Sequence, residues 1–336
     1  MFNNIYERIK TFMKDYGFFF IGLTIIFIMA FVKIPYEVSM PGGIIDLGNR
    51  VKIDGEGVEI EGSFNMAYVS VAQGSIPHAL LSFIIPDWDL DPISDVTYEN
   101  ETIEEANERE KLLLLQSKNF ASVAALDAAG INYEIANKVN YVVYIDEKAD
   151  TGIQVGDNII KCNGKEILSI DEIPDIIDNE EIGNKVSFTV LRDDKEVETY
   201  GIVYEEDNKK LIGISAITIF DLDSDKKVKI SSKSSESGPS GGLMMSLMVY
   251  NALTNQDLTQ GKKIVGTGTI SLDGSVGEIG GVKYKVMGAY KAHADVFFVP
   301  EGNYEEAIKI KEEKGYDLEI VKVKTLKDAI DYLEGL

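Results

Sequence analysis

The stretch SGPSGGLMMSLMVYNAL, residues 237–253, sets one hydroxyl, Ser240, behind a proline and ahead of two glycines, and an almost unbroken apolar run follows. A serine hydroxyl attacks a carbonyl only when a base takes its proton and donors receive the oxyanion that forms. The free amides at the start of a helix over LMMSLMVYNAL would supply such donors, helped by the helix dipole. Gly241 and Gly242 would let a substrate backbone come close. Taken alone, the stretch reads first as a helix start, because serine is a common N-cap and glycines are common there.

A second stretch supplies the base. GGVKYKVMGAYKA, residues 280–292, reads as a helix opening after Gly281. Val282, Val286, Ala289 and Ala292 share one face at helical spacing, and Lys285 falls on it. Lys283 lies nearer Met287, Tyr290 and Lys291 and reads as solvated. Burial disfavours the charged amine and lowers its pKa, so a buried lysine can act as a general base near neutral pH. The plainer alternative is a lysine whose amine snorkels to water. The two histidines, His78 and His293, stand far apart in sequence, so a serine–lysine pair is the economical reading.

These residues sit in a chain of 336, long enough for two or more domains. The net charge of −23 makes phosphate-backbone binding a poor expectation, and no nucleic-acid partner is expected. The single cysteine, Cys162, excludes an internal disulfide and a cysteine metal cluster, so neither metal nor cofactor is expected. Near the N-terminus, YGFFFIGLTIIFIMAFV runs for 17 residues without a charge, at the short end of the ~17–25 that cross a bilayer. No small-x-small cleavage site follows it, which favours an uncleaved anchor over a signal peptide. Arg8, Lys10 and Lys14 favour the N-terminus inside, diluted by Lys33 and Arg50. The expectation is a cytoplasmic tail over 1–15, a single span over 16–34 and a large acidic domain outside the cytoplasm.

From 35 to 135 the sequence reads as a β-rich segment followed by two helices. YEVSM, RVKIDG, GVEIEG and MAYVSVA read as strands between glycine turns. IPDWDLDPISD reads as loop within an unassigned stretch, 76–100, where a lid, a subunit contact or plain loop fits equally. ETIEEANEREKLLLLQ reads as one helix, with acids at its start, and 118–129 as another ending at Gly130. Residues 136–204 form a compact unit of strands and one short helix. Its segment GIQVGDNIIKCNGKEI resembles the heart of a bacterial PDZ domain, with the pattern G-x-x-x-G-D-x-I-x-x-x-N-G. The resemblance implies peptide binding by strand addition beside a helix. It puts the binding strand at Val139, Asn140, Tyr141, Val142, Val143 and Tyr144. Asn140 stands where the family usually has a glycine in its carboxylate-holding loop.

Residues 205–336 carry GPSGG, then GTGTISLDGSVGEIGGVKYK, then ADVFFVPEGN. In this order they resemble the proteolytic domain of the Lon family of serine proteases. The resemblance implies Ser240 as nucleophile, Lys285 as base and Thr267 as the threonine that hydrogen-bonds the lysine amine. Anchor, β-rich segment, PDZ unit and this domain together resemble the membrane-anchored PDZ–Lon-like proteases of bacteria. The implied fold class is α+β. Two positions depart from the family: Ser237 replaces a frequent acid, with Glu236 one further back, and Gly241 replaces the usual alanine. No G-x-x-x-x-G-K-[ST] occurs, so ATP-driven unfolding is not expected.

The implied function is an ATP-independent endopeptidase for flexible extracytoplasmic or membrane-associated proteins, with the PDZ unit binding substrate or gating the site. A homo-oligomeric ring is implied only by the hexameric full Lon enzymes. The rival from another class is a catalytically silent PDZ adaptor. A serine–lysine amidase of small substrates is a third reading.

Overall fold

The computed structural model describes residues 2–336; Met1, the first residue of the expected tail, lies outside them, as do the side chains of residues 2–4 and 30. The chain divides into two units.

The first unit comprises residues 1–41 and 70–96. Its helix α1 (Phe2–Phe31) includes the residues expected as tail, and Ile5–Met29 is long and apolar enough to cross a membrane. Almost none of that surface is covered by protein. The strand Lys33–Asp46 follows within two residues and pairs antiparallel with Asp89–Pro92. The short helix α2 (Ile76–Ser82) starts directly after the strand Ser63–Ser75 and packs against α1. Part of the unassigned stretch is therefore regular structure.

The second unit comprises residues 42–69 and 97–336. Its first long helix is α3 (Ile103–Ala128), one continuous helix where the sequence suggests two. No glycine or proline interrupts it. Thr102 and Glu105 close its start as a reciprocal capping box, and Gly130 at φ +68° ends it.

The PDZ-like part is an antiparallel sheet in the order Ile214–Ser224, Tyr133–Ile145, Asn158–Cys162, Lys185–Arg192, Lys195–Ile202, with α4 (Glu172–Asp178) beside it. It encloses its own core, which includes Ile153, Ile159, Ile173, Phe188 and Ile212. Sequence reading placed Ile214–Ser224 in the proteolytic domain. That strand instead pairs along Tyr133–Ile145, so the sheet extends past 204.

The proteolytic part is built on parallel pairing: Glu319–Val323 beside Val296–Pro300, that beside Lys263–Gly266, and that beside Ser63–Met66. VFFVP is apolar at every position because both faces are covered. On one face lie α5 (Gly242–Thr254) and α8 (Leu326–Glu334); on the other lie α6 (Val282–Lys291) and α7 (Tyr304–Lys314). The expected β-rich segment is present, with strands Lys33–Asp46, Val51–Ile53, Ser63–Ser75 and Asp89–Pro92, but part of it belongs to the proteolytic sheet. Residues 63–66 are a strand of the proteolytic sheet, and their partner, about 200 residues on, was not legible in the sequence. GVEIEG is not a strand: Val58 and Ile60 pack on the core without a ladder.

Candidate active site

Ser240 stands at a tight turn that opens α5. The Gly242 amide donates to the Pro239 carbonyl at 3.1 Å, and Gly241 has φ −90° and ψ −1°, the third-residue geometry of a type I turn. Ser240 is thus a turn residue two positions ahead of the helix, and its hydroxyl caps no amide among the described residues. Two groups after the strand Lys263–Gly266 grip its carbonyl: the Gly268 amide at 2.8 Å and the Thr267 hydroxyl at 3.1 Å. The serine therefore lies beyond the carboxyl ends of parallel strands, where α/β sheets place their ligand crevices.

Lys285 comes from the other face of that sheet. Gly281, at φ +68°, turns the chain into α6, and a Cβ there would lie 2.6 Å from Val69. Gly241 abuts Met66, three residues earlier on the same strand. Serine loop and lysine helix thus converge on one stretch of that strand, Met66 to Val69, from opposite faces. Lys285 is 3% exposed, and no carboxylate pairs with its amine among the described residues. Desolvation lowers its pKa from 10.5 to about 8. The sequence-based expectation of a buried lysine matches this environment.

Thr267 is fully buried, and its hydroxyl donates to the Ser240 carbonyl rather than serving the lysine alone. Its oxygen keeps lone pairs for an amine donor. Gly242 has a packing role apart from the expected one. A Cβ on Gly242 would lie 2.7 Å from Ile270 Cγ2 and 2.9 Å from the Ile270 amide nitrogen. Close packing within the fold, rather than room for substrate, excludes a side chain there.

Two groups on α3 also hold the serine turn, and the sequence offered no sign of them. The buried Ser117 hydroxyl donates to the Pro239 carbonyl at 3.0 Å, and the Glu110 carbonyl accepts from the Gly238 amide at 2.9 Å. They come from more than 120 residues upstream. Of the amides near Ser240, that of Leu243 donates to the Gly268 carbonyl at 3.1 Å, so both Gly242 and Leu243 are engaged. The Ser240 and Gly241 amides have no acceptor among the described residues.

The expected peptide-binding strand is corrected. Val139, Asn140, Tyr141, Val142 and Tyr144 pair with Ile214–Ser224 on one side. On the other side the Val142 amide donates to the Asp157 carbonyl at 2.9 Å, and Tyr141 pairs with Asn158. Val143, within the same run, packs against α3 through Leu112. Neither edge is open to a further strand. Asn140 is buried, donating to the Ile167 carbonyl and accepting from Thr218. Ile214–Ser224 is a terminal strand of the sheet, and Asn119 of α3 closes its outer edge at Phe220 by bonding both the amide and the carbonyl there. Beside this strand lies a groove of ≈ 430 Å³, lined by Gly213, Ile214, Ser215 and Ala216 and by Ile173 and Pro174 around α4. Gly213, at φ +72°, stands at its entrance; a Cβ there would lie 2.7 Å from Ala149 Cβ.

Residues 224–334 match the model of the Lon protease (S16) C-terminal proteolytic domain, and residues 128–200 match that of the PDZ domain. The Lon protease of Mesomycoplasma hyopneumoniae is 32% identical over 96 residues, covering 29% of this chain and 11% of that protein. The Lon protease of Mycoplasma pneumoniae is 37% identical over 91 residues, covering 27% and 11%. The matched stretch thus spans about a tenth of the length of these relatives. The PDZ domain of an SdrC-like protein from Listeria innocua is 23% identical, with a TM-score of 0.22, covering 24% of this chain and 93% of that one. The chain carries a serine-peptidase domain of the Lon type together with a PDZ domain.

Proposed function

We propose that this chain is a membrane-anchored endopeptidase that cleaves flexible protein segments outside the cytoplasm without ATP, using Ser240 and Lys285. The observation that carries the reading is Lys285 itself. A lysine buried without a carboxylate destabilises the fold, and its lowered pKa is what a general base requires.

In this mechanism the Ser240 hydroxyl oxygen attacks the scissile carbonyl carbon while the neutral Lys285 amine takes its proton. The amides of Ser240 and Gly241 receive the oxyanion. Collapse breaks the C–N bond, the lysine ammonium returns the proton to the leaving amine, and an ester to Ser240 remains. Water, deprotonated by Lys285, then hydrolyses that ester and restores the serine. Thr267 orients both partners, holding the Ser240 carbonyl and offering its oxygen to the lysine amine. The groove between Ile214–Ala216 and α4 takes an extended peptide by strand addition and recruits substrate. α1 anchors the chain as a single span.

The test uses the purified full chain in detergent with an unfolded protein as substrate, with and without ATP. Wild type should cleave equally in both conditions, and Ser240→Ala and Lys285→Ala should not cleave. Undiminished cleavage by either variant would sink the mechanism and move the weight to a peptide-capturing adaptor.

A further inference from the structure

The first unit carries a second apolar surface apart from the span. After α2 the chain turns sharply: the amides of Ile84 and Ile85 both donate to the Leu81 carbonyl, at 2.9 and 2.8 Å. This fixed turn points large apolar side chains outward. Phe83 is 85% exposed, Ile84 75% and Leu80 59%, and Leu81 is also exposed. Singly exposed apolar residues are ordinary, but a contiguous cluster on a hydrogen-bonded tip marks a contact.

The position of the tip identifies what it touches. α1 ends at Phe31 and the next strand begins at Lys33. Gly74 packs so closely on that strand start that a Cβ would lie 2.7 Å from the Tyr36 carbonyl and 3.0 Å from Ile34. Two residues later α2 begins, and it packs against α1. The tip therefore belongs with the end of the apolar helix, where Phe31 and Val32 are also exposed. Its neighbours in sequence are Asp87, Asp89 and Asp91, so attraction to anionic headgroups is not the driving force.

We propose that Leu80, Leu81, Phe83 and Ile84 form a second membrane contact that inserts into the bilayer interface beside the span. The inference rests on the reading of α1 as an anchor. Burial of apolar side chains drives it, and zwitterionic lipid is sufficient. Two contacts on one rigid strand pairing limit the tilt of this unit against the membrane, which a single helix does not.

The test places a polarity-sensitive fluorophore on Phe83→Cys in the full chain, reconstituted into phosphatidylcholine vesicles containing lipid with a quencher on its acyl chain. The native Cys162 does not interfere: it is buried and its thiol is pushed up to about 11. Ile25→Cys in α1 and Asp194→Cys on an exposed hairpin turn serve as references. The Phe83 label should emit as in an apolar medium and be quenched at least about threefold more than the Asp194 label, consistent with insertion at the acyl boundary. Quenching at Ile25 but not at Phe83 overturns the proposal and leaves the anchor intact. No quenching at Ile25 overturns the anchor reading and the proposal together. A Phe83 label shielded from water yet untouched by the quencher, and exposed on dilution, means that a second copy covers the tip, which also overturns it. None of these readouts depends on proteolysis.

Discussion

Replacing Lys285 by methionine should abolish hydrolysis and, near neutral pH, make the proteolytic domain more stable. The lysine is held below its ordinary value of 10.5, at about 8, by burial alone. At about 1.4 kcal/mol per pH unit, its charged form costs the folded state about 3 kcal/mol. Below pH 8 the amine is protonated in both folded and unfolded chains, and the folded chain carries the full cost. Between about 8 and 10.5 the unfolded chain binds a proton that the folded one lacks, so wild-type stability rises with pH. The methionine side chain has similar volume and no charge. Its advantage should be about 3 kcal/mol at pH 7 and fade to nothing by pH 10.5. Amide hydrogen exchange of α6 in both proteins, from pH 7 to 10, measures the difference. The same titration governs activity: about a tenth of the lysine is neutral at pH 7 and about nine tenths at pH 9, so kcat/KM should climb about tenfold. A pH-independent stability difference, or flat kcat/KM across that range, would refute the argument that a desolvated, unpaired amine is the base.

Gly242→Ala should destabilise by about 1–3 kcal/mol in denaturant unfolding, because the new methyl meets the Ile270 backbone. Gly241→Ala meets only the end of the Met66 side chain and should fold normally; equal damage from both would contradict the packing account. Ser117→Ala removes the hydroxyl that holds the Pro239 carbonyl, at about 1 kcal/mol. If Ser117 positions the serine turn, kcat falls several-fold while KM stays within twofold; loss confined to KM would point elsewhere. Adding a peptide should protect the amides of residues 214–216 from exchange and leave those of 139–144, already paired on both sides, unchanged. The reverse pattern would restore the inner strand as the binding edge.

Much of the site was legible because it is local. A proline, a serine and two glycines before an apolar run define a turn into a buried helix from neighbouring residues alone. Lysine on the apolar face of a thirteen-residue stretch follows from helical periodicity. The PDZ segment was legible for the same reason, through its glycine turns. The groove was misplaced because strand edges are properties of pairing, and nothing in VNYVVY shows that both of its edges are filled. The pairing of residues 63–66 was hidden on the same ground, and α3 runs on as one helix where two were expected.

Residue types and spacing by themselves determined an apolar N-terminal stretch ahead of a PDZ unit and a Lon-type proteolytic unit, and they singled out Ser240 and Lys285 as the candidate pair. Only the tertiary structure decided how that chemistry is held. It brings α3 onto the serine turn across more than 120 residues, engages the amides of Gly242 and Leu243 while leaving those of Ser240 and Gly241, and inserts residues 63–66 into a sheet some 200 residues downstream. Local sequence sets dihedral preferences and side-chain faces over one or two turns. Long-range hydrogen bonds and desolvation depend on what the rest of the chain places alongside, and the lowered pKa of Lys285 is such a property.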